Sequence, residues 1–173
     1  EVGGDRYAWR VSYRKIRGRG PGAPEKTLGA DRIFEIEVLS YAGQVRRRKG
    51  LPFQAKTGRA SGRQLTTQAT KMLKAAGDGL VVEYGASGYT ALRATAVVER
   101  GGRRKELKSQ ERPLGQLLGN DFLDCKAGIE GLYYDPDAET LRGLPPSDLR
   151  HIIETTVERL LPGHGPQARR LKD

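Results

Sequence analysis

Gln54 and Lys56 stand two residues apart in Leu51-Pro52-Phe53-Gln54-Ala55-Lys56. On a strand, residues i and i+2 share a face. Phe53 and Ala55 then turn to a core, and Gln54 and Lys56 project together from the other side. Upstream, Phe34, Ile36 and Val38 claim the core face of a second strand, which leaves Asp31, Glu35 and Glu37 on the opposite face with Ile33. Carboxylates beside a lysine suit a hard divalent cation and a phosphodiester. Oxygen ligands hold Mg²⁺, and the metal activates water and neutralises phosphate charge. Lysine stabilises developing oxyanion charge or orients the attacking water. The same spacing also suits a solvated strand face with ordinary Glu–Lys cross-strand pairs.

The elements that must carry these residues are legible from periodicity. Tyr7 to Ile16 alternates as a strand, and the RGRGPGAP stretch from Arg17 to Pro24 is a loop that leaves Arg17 and Arg19 free for a ligand or water. Ile33 to Tyr41 forms the next strand. Ala42-Gly43-Gln44 turns it into Val45 to Lys49, followed by Leu51 to Lys56. Ser61 to Ala76 changes to helical period, with Leu65, Ala69, Met72, Leu73 and Ala76 on one side and Gly77-Asp78-Gly79 as the stop. Leu80 to Tyr84 and Tyr89 to Glu99 read as two more strands, giving a core of order β-β-β-α-β-β. Ser147 caps a terminal helix over about 147–161, and 162–173 reads as a mobile basic tail. The expected organisation is a single domain over 1–161 with its core at about 25–99.

Composition narrows the function classes. The chain has 173 residues with 31 Lys+Arg and 21 Asp+Glu, a formal net charge of +10. Residues 1–60 hold 14 basic and 6 acidic residues, a net of +8, against 17 and 15, a net of +2, in the remainder. Such asymmetry fits a polyanionic partner. Arg46-Arg47-Arg48-Lys49 is the densest run and suits phosphate contact. No apolar run approaches a membrane span, and the first thirty residues carry no secretory pattern. One cysteine, Cys125, and two histidines, His151 and His164, exclude an internal disulfide and a cysteine-rich zinc site, so a cytoplasmic setting is expected. Cys125 reads as a small buried hydrophobe, and Arg103-Arg104-Lys105 as a solvated hairpin tip. Tyr7, Trp9 and Tyr13 fill a core face or stack bases beside Arg10 and Arg14.

Taken in order, Leu28-Gly29-Ala30-Asp31, Lys49 to Lys56 with its Gln54-Ala55-Lys56, Leu65 to Leu73 and Val81-Val82-Glu83-Tyr84 resemble the PD-(D/E)xK superfamily of restriction-endonuclease-like nucleases, in its GAD and QAK branch. The resemblance implies an α/β restriction-endonuclease-like core, a mixed and mostly antiparallel sheet flanked by helices. It implies Mg²⁺ or Mn²⁺ as cofactor, Asp31 as metal ligand and Lys56 acting on the nucleophilic water. Gln54 stands at the acidic position of the motif, where an amide oxygen still coordinates but brings no charge. Glu25 and Glu37 are the candidates for a second acid, and Gln68 corresponds to a helix glutamine that points toward the site. The family's core usually opens with a helix that donates an acid, whereas this chain opens with a strand.

The implied function is hydrolysis of DNA phosphodiesters, DNA being favoured over RNA, in prokaryotic restriction or antiviral defence. A regulatory or defence-complex protein partner and a homo-oligomer are both compatible with it. Two rivals fit the charge equally: a nucleic-acid-binding module on a lapsed nuclease fold, and a basic ribonucleoprotein subunit.

Overall fold

The computed structural model describes residues 8–40, 42–57, 62–86 and 88–143. The alternating segment forms β1 (Ala8–Lys15), and the loop after it enters a short helix, α1 (Pro24–Leu28), with proline in its first turn, where a missing N–H costs nothing. β2 (Arg32–Leu39) and β3 (Val45–Thr57) form a hairpin. α2 (Gly62–Ala76) then crosses to β4 (Leu80–Gly85), and β5 (Gly88–Arg93) returns into α3 (Ala94–Glu99). Short elements follow: α4 (Arg104–Leu107), a 3-10 turn, β6 (Arg112–Pro113), α5 (Leu114–Leu117) and a π-helical turn over Leu118–Phe122. β7 (Ile129–Glu130), β8 (Tyr133–Asp135) and β9 (Thr140–Arg142) complete the described chain.

The strands β1 to β6 lie side by side in chain order, with β7 added to β3, while β8 and β9 form a separate hairpin. All neighbours run antiparallel except β3 and β4, which are parallel. A parallel pair needs a crossover, and α2 supplies it. On one face Leu65, Ala69 and Met72 of α2 and Val97 of α3 bury Ile33, Val81 and Leu92, with Tyr134 and Leu141 of the hairpin beside them. On the other face Leu117 and Phe122 cover Leu51, Phe53, Leu80 and Val82. Mixed α/β architecture with a mostly antiparallel central sheet is therefore the fold. Among the described residues, no helix is long and apolar enough to cross a membrane.

Four expectations need correction. β3 is continuous through Gly50, where a Cβ would meet Leu132 O at 2.7 Å and Ile33 Cδ1 at 2.8 Å. Glycine there lets the corner after β7 close on the strand instead of breaking it. The segment from Tyr89 to Glu99 is strand only to Arg93. The Ala94 N–H turns to Gly79 O at 2.9 Å, and buried Ala94 and Val97, three apart, favour a helix. α1 begins at Pro24, the last residue of the stretch read as a loop, so a short helix precedes β2, while the described chain still opens with β1. Finally, the face of Ile33 is the more deeply buried one, and Phe34, Ile36 and Val38 are half-buried. The helix expected at 147–161, the tail, His151, His164 and Tyr7 lie outside the described residues.

Candidate functional site

Asp31 sits at the corner between α1 and β2, and a glycine makes that corner possible. Gly29 ends α1 at φ 74°, and the backbone carbonyl of Gln68 on α2 packs directly where a Cβ would stand. Lys71 Nζ donates to Lys26 O at 2.9 Å, fastening α2 to the same corner. The Asp31 N–H donates to Phe53 O at 3.1 Å, and the Asp31 carbonyl accepts from Ile16 N–H at 2.8 Å. Its side chain completes the lock: Oδ1 accepts the N–H of Ala55 at 3.0 Å. Arg32 pairs with Phe53 across β2 and β3, so one step further sets Asp31 opposite Gln54.

Gln54 is 4% exposed, and its Nε2 donates to Ala55 O at 3.3 Å. Its Oε1 is buried without a partner, and so is Oε1 of Gln68. Burying an unmatched carbonyl oxygen costs roughly 1–3 kcal/mol, which a bound water or an ion would relieve. Lys56 is half-buried, and its ammonium makes no hydrogen bond or ion pair among the described residues. It stands in parallel register with Glu83 of β4. Glu83 is 7% exposed and accepts from Arg104 Nη1 at 2.7 Å, and Arg104 also pairs with Glu111. Sequence reading missed this acid. The signal was a lone carboxylate ending the apolar run Leu80-Val81-Val82, on a strand brought parallel to β3 by α2.

The other carboxylates of β2 are committed elsewhere. Glu35 accepts from Tyr134 N–H at 2.6 Å and from Arg14 at 3.0 Å. Glu37 holds Arg10 and, at 2.9 Å, Arg48. Burial pushes its carboxyl up, but the hydrogen bonds and charges of Arg10 and Arg48 outweigh this and hold it below the usual range. Glu37 lies six positions from Asp31, about 20 Å along the strand at ~3.4 Å per residue. The structure does not bring them together. Glu25 is nearer in topology: it lines an open cleft of ≈ 540 Å³ with Arg17, Arg19 and Glu139, at the end of β1 where Lys15 pairs with Arg32. Arg17 is held by Glu139 at 3.2 Å. Among the described residues, no group of three or more His, Cys, Asp and Glu side chains is placed to hold a metal.

No family model, curated protein or solved structure matches the chain. The geometry therefore stands alone. Asp31, whose Oδ1 also lies 3.9 Å from Arg32 Nε, and Gln54, whose Oε1 is without a partner among the described residues, are the oxygen donors at this corner of the sheet, and oxygen donors are what a hard cation takes.

The basic run is not beside this corner. Arg47 is seven residues from Gln54, about 23 Å along β3, where Arg46, Arg47 and Arg48 line an open groove with Gly131. Arg46 and Arg47 are exposed, while Arg48 pairs with Glu37 and lies 4.2 Å from the Tyr133 ring centroid. Lys49 is 6% exposed, because strand alternation turns it inward. Its ammonium donates to Phe122 O, reaches Cys125 Sγ at 3.3 Å and stands 4.5 Å from the Phe122 ring centroid. It cannot be a phosphate contact. Cys125 is exposed, at φ 59° in the turn that receives this lysine, and is not a buried hydrophobe. Arg104 opens α4 and is drawn down to Glu83, so that stretch is not a solvated hairpin tip.

Proposed function

We propose that the protein is a metal-dependent nuclease that hydrolyses phosphodiester bonds in DNA, in the prokaryotic defence setting that its resemblance implies. The carrying observation is the Asp31–Ala55 bond, which places a carboxylate against the residue between Gln54 and Lys56. Asp31 and Gln54 would hold Mg²⁺ or Mn²⁺, with Glu25 as the further acid at that end of the sheet. When bound, the metal supplies charge neutralisation at the phosphate and a water of lowered pKa. Lys56, free of any ion pair among the described residues, is available to orient that water or meet charge developing on a phosphate oxygen. Gln68 fixes the Gly29 corner through its backbone, and its buried amide oxygen has no partner among the described residues. Arg17 and Arg19 at the near end and Arg46 and Arg47 at the far end would carry the phosphate backbone. At ~3.4 Å per base pair, 23 Å corresponds to about seven base pairs.

A second reading has its own support: Gln54 leaves the corner with a single committed carboxylate, which favours a binding module without catalysis. Titrating Mn²⁺ by calorimetry into wild type and Gln54→Glu separates the two. The nuclease reading expects measurable binding that the variant tightens on the order of tenfold, or about 1.4 kcal/mol. No binding by either protein would favour the binding module.

A further inference from the structure

β1 ends the sheet. Its neighbour on one side is β2, and among the described residues no strand pairs with its other side. The Ile16 N–H donates to Asp31 O at 2.8 Å, one step beyond the Lys15–Arg32 pair. Every second residue of an antiparallel strand turns its N–H and C=O to the same neighbour. Arg14, Ser12, Arg10 and Ala8 therefore face β2 with these groups, and Trp9, Val11, Tyr13 and Lys15 direct theirs outward. The edge is eight residues long, with no bulge, proline or glycine. Charged side chains are the other common guard of such an edge. Here Arg10 and Arg14 are neutralised by Glu37 and Glu35. The side chains of the outward residues Trp9, Val11 and Tyr13 are 37, 48 and 54% exposed. An unguarded edge that carries an apolar stripe suits the addition of another strand.

We propose that β1 pairs antiparallel with β1 of a second copy, about a two-fold axis at Val11, to form a dimer with one continuous sheet. Self-complementarity selects both this partner and this register. A pairing centred on Val11 sets Val11 opposite Val11, and Trp9 of each copy opposite Tyr13 of the other. All three are outward residues, so each facing pair exchanges two hydrogen bonds, and aromatic side chains meet across the strands. On the opposite face Arg10 falls opposite Ser12, and Arg14 opposite Ala8, so no like charges meet over Ala8–Arg14. A centre at Ser12 would set Arg10 against Arg14, and a centre at Arg10 would set it against itself. Like charges directly opposite are destabilising. A centre between two residues would bring the outward groups against groups already turned to β2. The same patch on both copies, related by a closed two-fold, limits the assembly to two chains.

This pairing does not rest on the nuclease reading and is tested without metal or DNA. Analytical ultracentrifugation of the full chain should show a concentration-dependent species of twice the mass of the chain. Val11→Pro removes the N–H at the axis, which β2 does not use, and edge strands accept proline. It should weaken self-association about tenfold or more, through the two hydrogen bonds lost at the axis. Two cysteine variants decide the register without it, in a Cys125→Ser background because Cys125 is exposed. Val11→Cys should form an intermolecular disulfide on oxidation with diamide, since facing residues of a bonded pair lie ~5.5 Å apart at Cα. Tyr13→Cys should not, because its two copies stand four residues apart in the register, ~14 Å. A monomer at every concentration overturns the proposal. So does a dimer that a folded Val11→Pro leaves unchanged, or one in which Val11→Cys fails to cross-link.

Discussion

The Asp31 carboxylate receives the backbone N–H of Ala55, the residue that separates Gln54 from Lys56, at 3.0 Å. Oδ1 is thereby spent on positioning, and it also lies 3.9 Å from Arg32 Nε. Asp31→Asn keeps an acceptor for that N–H and should fold with near wild-type stability while losing metal-dependent activity. Asp31→Ala strands the N–H and should also lose about 1–3 kcal/mol in urea denaturation. Equal stability losses in both variants would mean that charge, not the hydrogen bond, secures the corner.

Gly29 is required twice, by its positive φ and by the Gln68 carbonyl that fills its Cβ position. Gly29→Ala should cost at least about 2 kcal/mol of folding stability, read by denaturant midpoint. Gly43→Ala is the control, because its φ of 75° carries the same backbone strain with nothing near its Cβ. The difference between the two isolates the packing of α2 on the corner.

The basic residues of β3 divide by burial. Arg46→Ala with Arg47→Ala should weaken DNA binding and flatten its dependence on salt, by up to about 0.9 in the log–log slope for each phosphate that is no longer neutralised. Lys49→Met, which replaces an inward ammonium by an apolar chain of similar length, should leave that slope unchanged. Fluorescence anisotropy across a salt series reads both.

Acid should loosen the β1–β2–β3 side of the sheet through Glu37. Its carboxyl is held below the ordinary value of 4.5 by Arg10 and Arg48. A depressed folded-state value contributes stability that is fully present above the unfolded value and is lost as pH falls through the folded one. Stability should therefore be flat in Glu37 at neutral pH and decline below about 4.5, and Glu37→Gln should shallow that decline. Denaturation midpoints between pH 7 and pH 3 give the comparison.

What the sequence disclosed is what period and local chemistry encode. Phe53 and Ala55 alternating with Gln54 and Lys56 placed those polar groups on one face, and Leu65, Ala69 and Met72 marked α2. Partnership across strands was not encoded in the same way. Glu35 and Glu37 share a face with Asp31, yet the register hands them to Arg14, Arg10 and Arg48. Lys49 joins a basic run in sequence but alternates inward in β3, toward Phe122, more than seventy residues later in the chain. Glu83 came beside Lys56 only through the parallel crossover. Ala94 to Glu99 misled because its valines and threonine favour strand while its alanines favour helix, and the Ala94 to Gly79 bond decided between them.

The most direct measurement is cleavage of supercoiled plasmid, linear duplex, single-stranded DNA and RNA with Mg²⁺, Mn²⁺ or EDTA, by wild type, Asp31→Asn and Lys56→Ala. DNA cutting that needs the metal and falls at least a hundredfold in both variants, on the scale of a lost electrostatic or proton-transfer group, with DNA affinity retained, is the expected result. Metal-dependent cutting that survives in Lys56→Ala, or binding without cutting under every condition, would contradict the assignment of this corner as a nuclease site.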